Sequence, residues 1–162
     1  MSPPSYRERL RLEGAVLAGC GAAAAVAVLA LAEGADDNPM STVIQLAIVA
    51  ILMATLGSWS VDRSMQRAAT LDPAGPGSGE PTPLWQLPLI VAVLTLAFGF
   101  AVGWDAGLRI GGGCLVVGLA QALLFDRLVA ASERRSGKRF HRIAGSSLLT
   151  GTKLGTTSGA GP

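Results

Sequence analysis

Four long apolar segments alternate with polar segments along the chain. They cover residues of about 14–32, 40–61, 84–103 and 106–128. The first, from Gly14 to Ala32, has 19 residues and no charged side chain. An α-helix rises about 1.5 Å per residue, so this segment nearly matches the ~30 Å thickness of the hydrocarbon core of a bilayer. The pattern therefore predicts four membrane-spanning segments.

These spans are predicted to be helices. Inside a bilayer every backbone N–H and C=O must be paired, which a helix does within its own segment and strands do only in a closed barrel. Strands of such a barrel alternate apolar and polar residues over about ten positions, and these segments do not alternate. We therefore expect an all-α integral membrane protein, a four-helix bundle, whose transmembrane domain covers residues 14–131.

The fourth span is the least regular of the four. Its charge-free part runs only from Ile110 to Phe125. Arg109 precedes that part, and Asp105 lies four residues earlier on the same helical face. We predict that the Arg109 side chain extends to the headgroups beside Asp105.

The composition agrees with a membrane location and limits the available chemistry. Hydrophobic residues make up 50% of the chain and charged residues 15%, against about 25% charged residues in an average soluble domain. Cys20 and Cys114 lie within apolar segments, and His141 is the single histidine. These residues offer neither a disulfide framework nor a metal cluster, so we expect no metal and no other cofactor.

The positive charges predict the orientation of the chain. With both termini in the cytoplasm, Arg109 is the one residue of the 13 Lys and Arg that lies outside, in agreement with the positive-inside rule. Trp59, Trp85 and Trp104 then fall at span ends, where indole rings prefer to lie among headgroups. This threading predicts a multi-pass protein of the cytoplasmic membrane, with residues 1–13 as a cytoplasmic N-terminal arm.

The first span also resembles a secretory signal peptide. Arginines at 7, 9 and 11 precede an apolar run that ends in Ala30-Leu31-Ala32, a small-residue pattern typical of cleavage sites. The run is longer than the usual 7 to about 15 residues of a signal peptide, and Glu8 and Glu13 lie in the basic arm. A retained helix is favoured, and cleavage stays open as the alternative.

Two short motifs recur at span ends. Residues 32–36 and 101–105 share Ala-x-Gly-x-Asp, and Val61-Asp62-Arg63 resembles Phe125-Asp126-Arg127. One interpretation is a pair of parallel helical hairpins related by an axis along the membrane normal. The other is that glycine, aspartate and arginine are simply common at span ends.

Small residues mark one face of the fourth span. At 100° per residue one side collects Gly111, Cys114, Gly118, Gln121 and Ala122. Helices associate in lipid through close packing of small residues, so we expect this helix-packing face to contact another helix while Leu119 and Leu123 face lipid. For Gly111-Gly112-Gly113, tight helix packing is favoured over the approach of a ligand to the backbone.

The remaining segments lie outside the spans. Residues 62–83, rich in Gly and Pro, are predicted to form a flexible cytoplasmic linker, and residues 132–162 a basic, mostly disordered cytoplasmic tail. The tail carries five clustered basic residues, Arg134, Arg135, Lys138, Arg139 and Arg142. Such a cluster either contacts anionic lipid headgroups or only sets the topology. No nucleic acid is expected as a partner, because no recognition motif accompanies the basic residues.

The spans lack the residues that transport or catalysis usually needs. No ionisable residue lies near the middle of a span, whereas ion-coupled pumps usually place one there. No nucleophile with a base, and no pair of carboxylates in a pocket, can be assembled, so we expect no enzymatic activity. We expect an accessory or scaffold subunit that acts by helix–helix association, with another membrane protein or with itself. The alternative is a small transporter or an oligomeric, holin-like pore.

Overall fold

The computed structural model describes residues 5–32, 39–70, 84–142 and 154–158, and these residues are mainly helical. Among them lie four helices, α1 (Tyr6–Leu31), α2 (Pro39–Gln66), α3 (Gln86–Ala101) and α4 (Trp104–Ser136). α2 and α4 each contain a short π-helical segment, Met53–Gly57 and Ala120–Phe125. Three of these helices, α1, α2 and α4, are long and apolar enough to cross a membrane, and α3 is an apolar helix of 16 residues. The expectation of an all-α fold is thus supported, with helices in all four predicted regions.

α1 begins eight residues before the predicted span, at Tyr6 instead of Gly14. Ser5 and Glu8 form a capping box, in which the Ser5 Oγ accepts a hydrogen bond from the Glu8 N–H at 3.3 Å and the Glu8 carboxylate accepts one from the Ser5 N–H at 3.0 Å. This arrangement satisfies two backbone donors that a helix start leaves without partners. Most of the predicted N-terminal arm is therefore the first part of α1.

α4 also continues past its predicted end at residue 128. Its 33 residues cover about 50 Å at 1.5 Å per residue, well over the thickness of a hydrocarbon core. Glycines set both ends of the helix. Gly103 precedes it with a φ of +139°, and Gly137 follows it with a φ of +65°, conformations that a residue with a Cβ rarely adopts.

α4 is the central helix of the bundle. α1, α2 and α3 each pack along it, and α1 also contacts α3. α3 and α4 form a packed hairpin, whereas α1 and α2 make at most marginal contact with each other. The interpretation of two equivalent parallel hairpins is therefore wrong: α3 packs on α4, but α1 does not pack on α2 in the same way. α1 packs instead on the glycines of α4.

Three short strands form a sheet at the end of the bundle where α1 begins. They are β1 (Ala69–Thr70), β2 (Lys138–Arg142) and β3 (Leu154–Ser158). The strand order is β1-β3-β2, with β3 parallel to β1 and antiparallel to β2. We call this end of the bundle the sheet end, and the opposite end, at Gly103, the hairpin end.

A compact apolar core joins the sheet to the helices. Phe140 of β2 and Leu154 of β3 are buried with Tyr6 and Leu10 of α1 and with Val129 of α4. The prediction of disorder in the tail is therefore wrong for residues 138–142 and 154–158. Phe140 and Leu154 are buried on an apolar surface that forms where the start of α1 lies beside the end of α4. In the predicted linker, residues 62–66 are helical and 69–70 form β1. Residues 71–83, 143–153 and 159–162 lie outside the described residues.

Candidate functional site

The contact between α1 and α4 is built from opposed glycines. A Cβ placed on Gly21 would lie 2.6 Å from the carbonyl oxygen of Gly111, and one placed on Gly14 would lie 2.7 Å from the carbonyl oxygen of Gly118. The chain order of these two pairs shows that the helices are antiparallel. Backbone therefore meets backbone, which is how helices gain dispersion contacts in lipid, where no hydrophobic drive holds them together.

The structure places all five residues of the predicted helix-packing face against α1. Gly111 and Gly118 form the glycine contacts just described. The backbone of Cys114 lies beside Gly21, and those of Gln121 and Ala122 beside Gly14, with a Cβ on Gly14 reaching the Ala122 nitrogen at 2.7 Å and the Gln121 Cβ at 3.0 Å. Leu119 and Leu123 are exposed on the other side. These residues of α4 therefore lie at the contact with α1.

The three consecutive glycines of α4 have three different surroundings. Gly111 faces α1, and a Cβ on Gly112 would meet the Leu46 side chain of α2 at 3.0 Å. At Gly113 no atom of the described residues lies within 4 Å of a Cβ. Two of the glycines therefore serve helix packing, the interpretation that the sequence favours.

A cluster of charged side chains ties α1 to α4 at the sheet end. The Asp126 carboxylate is buried, with 4% of the residue exposed. It accepts hydrogen bonds from Arg7 Nε at 3.1 Å and from Arg11 Nη2 at 2.8 Å. Both donors lie on one face of α1 because they are four residues apart. We call Arg7, Arg11 and Asp126 the charge cluster.

Glu133 extends this charge cluster to the sheet. Its Oε1 accepts a hydrogen bond from the backbone N–H of Phe140 at 3.2 Å, and its Oε2 lies 3.9 Å from Arg7 Nη1. Glu133 thus links α4, α1 and the middle of β2. Sequence reasoning treated Asp126 as a helix-boundary residue and the arginines of the arm as topological charges. Arg7 and Arg11 are four residues apart, and this spacing on a helix places both side chains within reach of one acceptor.

The clustered basic residues of the predicted tail lie on ordered elements. Arg134 and Arg135 belong to the last turn of α4, and Lys138 and Arg139 begin β2. All four are exposed, and in the part of the chain that the structure describes none of them forms an ion pair. Arg142 ends β2, and its side chain lies outside the description. Four of the five predicted headgroup contacts therefore share one exposed region around Gly137.

The hairpin end carries the predicted pair of Arg109 and Asp105. Arg109 Nη2 lies 3.2 Å from Asp105 Oδ2, which confirms that the two residues share a helical face. Trp104 stands beside them, with its ring in an edge-to-face contact with Phe100 at 5.0 Å between centroids. Among the described residues no group of three or more His, Cys, Asp or Glu side chains lies close enough to hold a metal ion.

The face of α1 that points away from α4 is also lined by small residues. Ala15, Gly19 and Ala23 follow each other at four-residue spacing and are all exposed. No atom of the described residues lies within 4 Å of a Cβ placed on Gly19. We call these three residues the outer stripe of α1.

Comparisons with protein-family models, with curated protein sequences and with solved structures find no match to this chain.

Proposed function

We propose that the protein is a multi-pass protein of the cytoplasmic membrane that acts by helix–helix association, as an accessory or scaffold subunit of a membrane assembly. The outer stripe of α1 is the observation that carries this proposal. No large side chain projects from the helix surface at Ala15, Gly19 and Ala23. Small residues at four-residue spacing allow another helix to approach the backbone closely. α1 already makes one contact of this kind with α4 on its other face.

The proposed topology has both termini in the cytoplasm. The exposed arginines and lysine around Gly137 lie at the sheet end, as do Arg7 and Arg11. A cytoplasmic sheet end agrees with the preference of positive charge for the inner side of a membrane. In this topology α4 would extend beyond the bilayer and present Arg134 and Arg135 just below the headgroups.

Replacement of a glycine in the outer stripe tests the proposal. Gly19→Leu inserts a bulky side chain into the association surface, and Gly113→Leu is its matched control, since both glycines are helical with open space around them. The protein would be extracted gently from its native membrane and examined by native mass spectrometry. We expect a stoichiometric companion with the unchanged chain and with Gly113→Leu, and loss of that companion with Gly19→Leu.

The same measurement distinguishes the alternative, an oligomeric, holin-like pore or small transporter. A pore would yield several copies of this chain without a companion, and the purified protein would make liposomes permeable to a trapped dye. A companion that survives Gly19→Leu would contradict the proposed surface. Absence of both companions and copies would contradict association as the function.

We further propose that the basic residues around Gly137 contact anionic lipid. Each Lys or Arg near an anionic surface contributes about 1 kcal/mol to binding. Replacement of the five clustered basic residues by glutamine should weaken binding of the protein in nanodiscs to vesicles that contain phosphatidylserine, and added salt should weaken binding of the unchanged protein. The five are Arg134, Arg135, Lys138, Arg139 and Arg142. Unchanged binding would leave the cluster with a topological role only.

A further inference from the structure

An apolar cavity of about 300 Å³ lies between α1, α3 and the start of α4, close to the hairpin end. Short side chains create this space, because Ala24 and Ala27 of α1 face Ala92 of α3 across it. The indole ring of Trp104 closes one end, and its ring packs over Gly99. No ionisable residue is among the described residues that line the cavity.

The cavity opens on the side of the bundle. Leu31 and Leu96 stand at its edge, and their exposed fractions are 86% and 51%. Both leucines belong to apolar surfaces that a bilayer would cover. A molecule dissolved in the hydrocarbon core can therefore enter between α1 and α3 without crossing water.

One polar group in the lining lacks a partner. Thr95 is 4% exposed, and its Oγ1 is buried without a hydrogen bond to any described residue. A threonine within a helix ordinarily donates to the carbonyl three or four residues earlier. Thr55 of α2 does so, since its Oγ1 donates to the Ile51 carbonyl at 2.8 Å. A buried hydroxyl without a partner is costly, and a rotation about χ1 that turns Oγ1 into the cavity would let a ligand oxygen accept its hydrogen bond and remove this cost.

We propose that the cavity binds a neutral, lipid-soluble carbonyl compound, whose hydrocarbon rings or chain fill the alanine-lined space and whose oxygen accepts a hydrogen bond from Thr95. The size limits the ligand. An apolar cavity of about 150 Å³ holds one benzene ring, so a cavity twice that size accommodates two fused rings. This site is independent of the association surface, which lies elsewhere on α1.

Two probes of equal shape test the proposal on the full chain in detergent. Menadione, 2-methyl-1,4-naphthoquinone, carries two carbonyls on a two-ring skeleton, and 2-methylnaphthalene is the same skeleton without them. Binding would be measured by equilibrium dialysis, with empty micelles as the blank. Only menadione that dialyses out again would be counted, because its quinone ring also adds covalently to free thiols such as Cys20 and Cys114. We expect one menadione per chain and weaker binding of 2-methylnaphthalene.

Variants of Thr95 isolate the role of its hydroxyl. Thr95→Val keeps the shape and should weaken menadione binding about fivefold, the effect of one hydrogen bond, without changing the affinity for 2-methylnaphthalene. Thr95→Ser should retain menadione binding, and Thr55→Val, on the exposed surface of α2, should leave both affinities unchanged. Ala92→Phe should fill the cavity and abolish binding of both probes.

Three results would overturn the proposal. If both probes bound with equal affinity and Thr95→Val had no effect, the cavity would be a site for hydrocarbon without any role for the hydroxyl. Menadione binding that survives Ala92→Phe would show that the probe binds elsewhere. Absence of menadione binding to the unchanged protein would exclude a carbonyl site of this size.

Discussion

α1 and α2 are both long apolar helices that pack on α4, yet they do so in opposite ways. In the most apolar 18-residue window of each helix, 22% of α1 is buried and only 6% of α2. α1 contributes Gly14, Ala18 and Gly21 to its contact, whereas α2 buries no residue between Pro39 and Gly57. α2, which carries the larger apolar side chains, is thus less buried than α1. Within this bundle, close approach of backbones decides which helix is held tightly, and large apolar side chains remain on the surface.

Two of the contacts between α2 and α4 pair a glycine with a large side chain. Leu46 lies over Gly112, and the ring of Phe125 lies over Gly57. Gly57 and Phe125 both belong to π-helical segments. The difference between the two helices predicts graded effects of substitution, and three measurements test it.

The largest effect is expected from Gly118→Val in the contact between α1 and α4. Its Cβ would collide with the Ala18 nitrogen and lie 2.6 Å from the Gly14 carbonyl oxygen, and backbone atoms cannot move aside as a flexible side chain can. We expect a loss of about 3 kcal/mol or more of unfolding free energy, measured by unfolding in mixed micelles of increasing dodecyl sulfate content. Gly113→Val is the control on the same helix, with open space and an expected change within about 0.5 kcal/mol. Equal losses from the two variants would contradict the comparison.

A smaller effect is expected when the charge cluster loses its carboxylate. Asp126→Asn keeps the size of the side chain but removes its charge and replaces one acceptor oxygen with an NH2 group, so the charge-assisted hydrogen bonds at one oxygen are weakened and those at the other are lost. We expect a loss of about 2 kcal/mol, at the lower end for such bonds because Arg11 remains largely exposed. The readout is the thermal unfolding midpoint in detergent, together with faster proteolysis of the sheet end.

Asp62→Asn is the matched control for Asp126→Asn. Asp62 occupies the related Asp-Arg motif at the end of α2, but it is exposed. Among the described residues it accepts a hydrogen bond from Gln66 alone, four residues away, at 2.6 Å. We expect little change from this substitution. If Asp62→Asn destabilised the protein as much as Asp126→Asn, the cluster would have no special role in holding α1 to α4.

The smallest effect is expected from Leu46→Ala, which removes one attachment point of α2. Leu46 is half-buried against Gly112, so its truncation should cost about 1 kcal/mol. Hydrogen–deuterium exchange should increase in α2 and stay unchanged in α1. Ile48→Ala, at an exposed position, should change neither. Faster exchange in α1 after Leu46→Ala would show that α1 and α2 are coupled and are not held to α4 independently.

The periodicity of the sequence predicted local features well. The four helical regions follow from runs of apolar residues, and the pairing of Arg109 with Asp105 follows from their spacing on one helix. The small-residue side of α4 was also visible, because 100° per residue fixes which residues share a face. These inferences need only neighbours in the chain.

Other features depend on residues far apart in the chain. Asp126 and Arg7 are separated by 119 positions, and nothing in either local sequence names the other. The burial of Phe140 and Leu154 likewise requires the ends of α1 and α4 to be in place. The recurring Asp-Arg motifs suggested equivalent hairpins, but Asp62 is exposed and Asp126 is buried, because only the second faces the arginines of α1.

The sequence by itself determined that this protein is built from apolar helices and where each of them lies in the chain, because hydrocarbon solvent demands long apolar runs with internal backbone hydrogen bonds. The tertiary structure decided which helices touch. It placed α4 at the centre, left the outer stripe of α1 and most of α2 uncovered, and buried the Thr95 hydroxyl without a partner beside an apolar cavity. The physical reason is that apolar side chains gain little from one another in lipid, so helix pairing follows from shape and a few polar contacts, which exist only once the helices are together.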